Sequence, residues 1–294
     1  MACISPVTCY WSKKVNPSGK RSLVYSSRGS LDGKPIQRPC GVCINCRIQT
    51  TADMTVRLVH ESKSHERNCY VTLTYDPEHL PEDGSLNHRD FQLFAKRLRE
   101  VTGPFKRYMC GEYGDKNDRP HYHAILFGVD FDDKIYRTKN KQGDSLYSSQ
   151  KLDDLWRLGD CIIGDVAMQS CRYVAGYIQK KIYGDMAADH YMGRKPEYAF
   201  GSNGLGLEYL LKYGHQWMDS GFVIIDGSKF RIPRYYDIKY RELVDGLHHD
   251  VVKDERLSKA RTNPHDLDGS FNRYDAVRQS ITARLNKRDF DHET

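Results

Sequence analysis

The sequence predicts an α+β chain whose centre is an antiparallel sheet with helices packed on it. Two observations carry this. Short β-branched and aromatic runs alternate with amphipathic stretches between residues 66 and 184, and two of those runs are joined by a polar loop too short for a parallel crossover. The predicted order, βαββαβα, matches a ferredoxin-like (RRM-like) sandwich.

The elements follow in order. "CYVTLTY" is rich in β-formers and stops at Asp76-Pro77, a turn signal. "NHRDFQLFAKRLREV" sets Phe91, Phe94, Ala95 and Leu98 at helical spacing behind an Asn87 cap, and Gly103-Pro104 ends it. "FKRYMCGEY" and "HYHAILFGVDF" read as an antiparallel strand pair. "DDKIYRTKNKQGDSLYSSQ" reads as an exposed polar insertion. A short helix in "KLDDLWRL", a strand in "DCIIGDVAM" and a helix in "SCRYVAGYIQKKIYG", capped by Ser170, complete the core. "GFVIIDGSKFRIPRYY" predicts a hairpin on an Asp-Gly turn, and the charged remainder is helical with a frayed end. Three zones result: a Cys-rich segment over 1–65, a core over 66–184, and a C-terminal extension of hairpin and helices over 185–294.

Composition narrows the classes. Of 294 residues, 39% are hydrophobic and 29% charged, which permits a core and excludes wholesale disorder. There is no apolar run of about 18 residues, so no membrane helix is expected, and "MACISPVTCYWSKK" has no secretory h-region. Nine cysteines, several clustered, suit a reducing compartment better than a disulfide framework. The formal charge of +6 is compatible with nucleic acid.

Chemistry concentrates in two places. His121 and His123 lie two apart on a strand and so share a face, and Glu112 on the neighbouring strand can meet them. Two imidazoles and a carboxylate with open positions suit Mg²⁺ or Mn²⁺, and zinc is chemically allowed. On the last core helix Tyr173 and Tyr177 lie four apart, so their phenols share a face. Val174, Ile178 and Ile182 form the stripe that seats the helix, leaving the tyrosines to face a cleft. Lys181 continues the tyrosine stripe, and Lys180 lies three residues past Tyr177. A tyrosine can attack phosphorus covalently. Its phenolate costs about 4 kcal/mol at pH 7 from a pKa of about 10, which a cation on the phosphate and nearby lysines offset.

The ordered set "YVTLTY", "RPHYHAILFG" and "YVAGYIQKK" resembles the HUH endonucleases, the rolling-circle replication initiators. A closer similarity, adding "PCGVCINCR" and "FRIPRYYD", is to the replication initiators of gokushovirus-type microviruses, and it spans most of residues 1–240. The resemblance implies a site-specific nickase and strand transferase that starts and ends rolling-circle replication of a small single-stranded DNA phage through a 5′-phosphotyrosine. It implies a single-stranded origin as substrate, the host helicase and polymerase as partners, and the bacterial cytoplasm as location. Gly176 stands three after Tyr173, where related initiators often have lysine. Lys180 therefore favours Tyr177 as the first nucleophile. Other classes fitting parts of the pattern are a non-catalytic single-strand-binding or packaging protein, for which the 20 tyrosines would stack bases, and a relaxase or transposase of a mobile element.

Cys40, Cys43 and Cys46 recur at metal-like spacing, with Cys3 or Cys9 as a fourth ligand for structural zinc. A [4Fe–4S] cluster or plain reduced thiols are the alternatives. The resemblance favours Cys3. "HESKSH" misses the HExxH spacing and "GSNGLG" is not followed by GK[ST], so no zincin site, ATPase or helicase is expected.

Overall fold

The computed structural model describes residues 3–114, 117–177, 181–182, 184 and 186–243. Lys180 and Ile178, named above, lie outside the described residues, as does the charged C-terminal stretch beyond residue 243. The chain divides into two compact units at Thr50 and Thr51.

The N-terminal unit holds a small antiparallel sheet in the order β2-β1-β3, formed by β1 (Val7–Val15), β2 (Arg21–Val24) and β3 (Ile36–Arg38). The unit boundary falls inside α1 (Ile44–Ser62). This long helix is absent from the sequence-based reading, because its apolar residues are diluted by Thr, Gln, Arg and Asp.

The second unit is built on a seven-stranded sheet, order β10-β5-β6-β4-β9-β8-β7. Its strands are β4 (Asn68–Thr74), β5 (Lys106–Tyr113), β6 (Pro120–Phe127), β7 (Ile135–Lys139), β8 (Ser145–Ser148), β9 (Cys161–Gly164) and β10 (Tyr198–Gly201). Every pairing is antiparallel. The structure is thus α+β with a large antiparallel sheet, and β4, α2 (His88–Thr102), β5, β6, α3 (Gln150–Trp156) and β9 follow one another as β-α-β-β-α-β.

Alternation along the strands splits the unit into two faces. Val71, Leu73, Met109, Tyr122, Ala124, Leu126 and Ile163 point one way, into a core that α2 and α3 cover with Phe91, Phe94, Leu98, Leu152 and Trp156. Asn87 caps α2 as predicted, its side chain accepting from the Arg89 N–H, and Gly103 ends it at φ 80°. The opposite face carries Tyr108, Cys110, Ile125 and Phe127, which pack with Val56, Val59, Val174 and Ala175 and with Leu210 and Tyr236 of α6 (Leu207–Ser220) and α7 (Arg234–Leu243).

Three expectations are corrected. The polar 132–150 stretch is not a bare insertion: it folds into the β7–β8 hairpin, and β8 joins β9 to extend the sheet. Its strands read as polar because β7 is exposed along its whole length. The helix predicted from Ser170 is α4 (Met168–Gly176), which begins earlier; Ser170 caps from inside, its hydroxyl accepting the Ala167 N–H at 2.7 Å. Residues 198–201, left unassigned by pattern, add an edge strand to β5. The predicted hairpin is present as β11 (Phe222–Ile225) and β12 (Ser228–Arg231), with Asp226 and Gly227 both at positive φ, as a tight two-residue turn requires.

α1 is anchored in the second unit through two adjacent residues. Glu61 is fully buried, and its carboxylate meets Lys106 Nζ at 2.9 Å, His65 Nε2 at 2.8 Å and the Gly206 N–H at 2.6 Å. Gly206 sits at φ 76°, and a Cβ there would strike the Tyr236 hydroxyl and the Arg57 carbonyl, so only glycine fits. His60 stacks between Tyr209 (4.4 Å) and Trp217 (4.7 Å), with Nδ1 3.1 Å from the Tyr236 hydroxyl.

Burial, reinforced by Lys63, pushes His60 down from 6.5 to about 3. The unfolded chain therefore takes up this proton first as pH falls. His60 contributes stability that is full above pH 6.5 and is lost towards pH 3, on the order of 4 kcal/mol over that window. We expect His60→Phe to flatten the fall in stability between pH 7 and pH 4, measured by denaturant titration followed through tryptophan fluorescence; an unchanged slope would refute the assignment.

Candidate active site

The antiparallel register of β5 and β6 sets Glu112 opposite His121 and Cys110 opposite His123. All three polar residues lie on the sheet face that α4 covers, because each is an even number of positions from its neighbour on its own strand or directly across the pair. Nε2 of His121 is 2.7 Å, and Nε2 of His123 3.0 Å, from the same Glu112 oxygen, Oε1. Glu112 and His123 are buried, at 4% and 5% exposure.

Both rings are held from behind. His121 Nδ1 is 3.1 Å from the Arg119 carbonyl, which can only accept, so Nδ1 carries the proton there. His123 Nδ1 is 2.5 Å from the Tyr70 hydroxyl and 2.9 Å from that of Thr72, which in turn donates to Tyr70 at 3.1 Å. With Nδ1 engaged, Nε2 of each ring can turn its lone pair towards Glu112. Three lone-pair atoms crowd together in that arrangement, which a proton or a cation must relieve. The other carboxylate oxygen, Oε2, is buried with no hydrogen-bond partner. Burial alone would raise the Glu112 carboxyl, but hydrogen bonds from His121 and His123 outweigh it and hold it at about 2. The donor set, two nitrogens and a carboxylate within 4.8 Å of one another, fits a divalent cation in size and charge.

α4 lays its tyrosines on this group. The Tyr177 ring stacks on His123 at 5.0 Å and 6°, and the Tyr173 ring meets His123 edge-on at 5.4 Å. The two phenol rings are 4.7 Å apart. The expectation that both face a cleft is corrected: Tyr173 is 41% exposed, but Tyr177 is buried at 4%. Helical rotation explains it, since Tyr177 closes the turn begun by the buried Val174 and sits between that stripe and Tyr173. Burial pushes the Tyr177 phenol well above its ordinary value, and the Glu112 carboxylate adds to that. The Thr51 hydroxyl donates to the Ala175 carbonyl at 3.3 Å, tying α4 to α1. Lys181 is half-buried.

Two residues join the group that motif reading did not single out. Tyr70 and Thr72 face His123 because Thr72 is its register partner on β4 and Tyr70 shares that face. The signal was in the period-2 pattern of "YVTLTY", whose polar members all lie opposite the histidine side. In the N-terminal unit, Cys3, Cys40, Cys43 and Cys46 converge, with Sγ atoms within 4.8 Å of one another. Burial alone would raise the Cys43 thiol, but the backbone N–H groups of Cys46 and Ile4 outweigh it and hold it at about 6. Cys9 is turned away, against the Ile36 carbonyl.

Comparison with known proteins agrees with this core. Residues 68–182 match the family model of the replication-associated protein ORF2. The chain is 34% identical over 254 residues to the replication-associated protein VP4 of Bdellovibrio phage phiMH2K, covering 82% of this chain and 78% of the relative. It is 33% identical to the replication-associated protein ORF4 of Chlamydia phage 1, over 76% of this chain and 60% of the relative, and 28% identical to the replication-associated protein ORF2 of Spiroplasma virus 4, over 89% and 87%. No solved structure matches the chain. The chain belongs to this family of phage replication-associated proteins.

The geometry makes a graded expectation. His121→Ala or His123→Ala should abolish high-affinity Mn²⁺ binding while leaving the circular dichroism spectrum intact. Tyr70→Phe, which leaves His123 its Thr72 contact, should weaken binding by about ten- to a hundredfold at most. Calorimetric titration checks both, and wild-type affinity in either histidine variant would dismiss the triad as a cation site.

Proposed function

We propose that this chain is a metal-dependent HUH endonuclease on a ferredoxin-like core: a site-specific nickase and strand transferase that initiates and terminates rolling-circle replication of a small single-stranded DNA phage. The observation that carries the reading is the packing of both α4 tyrosine rings on His123, the imidazole that shares Glu112 with His121. A nucleophile and a cation site within one side-chain length of each other is what covalent cleavage of a phosphodiester needs. The strand order β9-β4-β6-β5, with α2 and α3 together on the far face, supports the ferredoxin-like assignment.

Glu112, His121 and His123 would hold a Mg²⁺ or Mn²⁺ ion, which when bound polarises the scissile phosphate and lowers the cost of the phenolate. The tyrosine oxygen attacks phosphorus, the O3′–P bond breaks, the phenolic proton is lost to solvent, and O3′ leaves as a hydroxyl after protonation. The products are a 5′-phosphotyrosine and a 3′-OH that primes the host polymerase. Bond energy is conserved in the ester, so a 3′-OH can later displace the tyrosine and close a circle without ATP. Two tyrosines allow the second to cleave while the first is occupied. Lys181 is the described lysine of the motif, assigned to the anionic oxygens, and Lys180 would join it.

Exposure changes the order expected from the lysines alone. Tyr173 is open to a DNA strand, whereas Tyr177 lies buried against His123 and carries a raised pKa. Tyr173 is therefore the first nucleophile, and Tyr177 acts once product has moved the helix or strand. A packaging protein that merely binds single strands has no use for a buried Glu–His–His group. The test is incubation with tiled viral single-stranded oligonucleotides and Mn²⁺, followed by mass spectrometry of the covalent peptide. The adduct should map to Tyr173. Tyr173→Phe should slow first cleavage at least about tenfold, a loss of roughly 1.4 kcal/mol of transition-state stabilisation. Tyr177→Phe should spare it but block circle release, and the double variant should form no adduct. An undiminished adduct in the double variant, or cleavage that persists in EDTA, would overturn the mechanism.

A further inference from the structure

The N-terminal unit has almost nothing to hold it together by burial. Among described residues 3–50, the buried hydrophobic side chains are Cys9 and Cys46. Trp11, Val15, Tyr25, Leu31 and Val42 are exposed. A three-stranded sheet of short strands without a hydrophobic core is not stable by itself, and small units of this kind need a covalent or metal staple. The cysteines offer no disulfide: all are free, and Cys3 Sγ lies 3.6 Å from Cys40 Sγ and 3.8 Å from Cys43 Sγ.

We propose that Cys3, Cys40, Cys43 and Cys46 form a tetrathiolate zinc site that is the structural centre of the N-terminal unit. A tetrahedron with Zn–S bonds of about 2.3 Å has S···S edges of about 3.8 Å, and the two sulfur separations from Cys3 lie at that edge length. Four sulfurs within 4.8 Å of one another surround a single ion and leave no room for a four-iron cluster among them. The backbone is arranged for charge on sulfur. The Cys40 N–H donates to Cys3 Sγ at 3.3 Å and the Cys43 N–H to Cys40 Sγ at 3.2 Å. Gly41, at φ 82°, makes the tight turn between Cys40 and Cys43. Cys46 follows in the first turn of α1, three residues past Cys43, so the two share a helix side.

The ligands come from both ends of the small sheet. Cys3 precedes β1, Cys40 and Cys43 follow β3, and Cys46 opens α1. One ion therefore closes the loop that contains all three strands and fixes it to the start of α1. This is independent of the cation at Glu112, His121 and His123, and independent of the nicking reaction.

The full-length chain carrying His121→Ala and His123→Ala removes the other site and is the protein to test. Purified under reducing conditions, it should retain one zinc per chain by elemental analysis and native mass spectrometry. Exchange into Co²⁺ should give the ligand-field and thiolate charge-transfer bands of a tetrahedral tetrathiolate. Stripping the metal should make residues before Thr50 sensitive to limited proteolysis and leave the second unit resistant. Cys40→Ser with Cys43→Ser should lose the zinc. Should that variant fail to fold, the cobalt spectrum of the histidine variant still decides. Absence of zinc from the histidine variant, a cobalt spectrum lacking thiolate bands, or stoichiometric iron in place of zinc would overturn the proposal.

Discussion

The antiparallel pairing of β4, β6 and β5 is the constraint on which the site depends. Side chains on a strand alternate faces, and antiparallel register places each residue opposite a fixed partner. Once Glu112 pairs with His121 and Thr72 with His123, the carboxylate, both imidazoles and the hydroxyls behind them must share one face. A slip of one residue in either pairing would send the histidines into the α2 side and pull Tyr122 and Leu73 out of it. The core on that side, with Trp156, Phe91 and Phe94 packed around Tyr122, forbids the slip. The hydrophobic face thus fixes the polar one.

That coupling explains why so much of the core could be read from sequence. Asn87, the Phe91–Leu98 spacing, the Gly103 stop and the Asp226-Gly227 turn each act within a few residues, and local signals of that kind survive without tertiary context. The Glu112, His121 and His123 group was legible for a related reason: it needs only strand alternation and one antiparallel pair. Elements whose stability comes from distant contacts were not legible. α1 is polar along much of its length and is held by Glu61 and His60, whose partners lie over 100 residues away. β7 and β8 are strands because β9 offers an edge, and β10 because β5 does.

The two tyrosines show what spacing cannot decide. An i,i+4 pair shares a helix face, and both rings do reach His123. Whether that face is open depends on how the helix is rolled against the sheet, and the roll is set by Val174, Ala175 and the Thr51 contact to the Ala175 carbonyl. The result is unequal: one phenol open, one buried. Sequence symmetry of the motif therefore hides a structural asymmetry.

That asymmetry has an energetic consequence for an enzyme with two equivalent nucleophiles. A phenolate at pH 7 already costs about 4 kcal/mol from an ordinary pKa, and burial beside the Glu112 carboxylate raises the cost for Tyr177 further. Stacked on His123, Tyr177 is close to the triad but electrostatically silent. A bound cation reverses the sign of the local field, because a divalent charge outweighs the single carboxylate that now disfavours the phenolate. The same burial that suppresses Tyr177 without an ion would then shield it from water and strengthen the attraction to that ion. The buried phenol is held inactive by the very environment that a filled site would turn in its favour, so cation occupancy, and not helix geometry alone, sets when the second tyrosine can act.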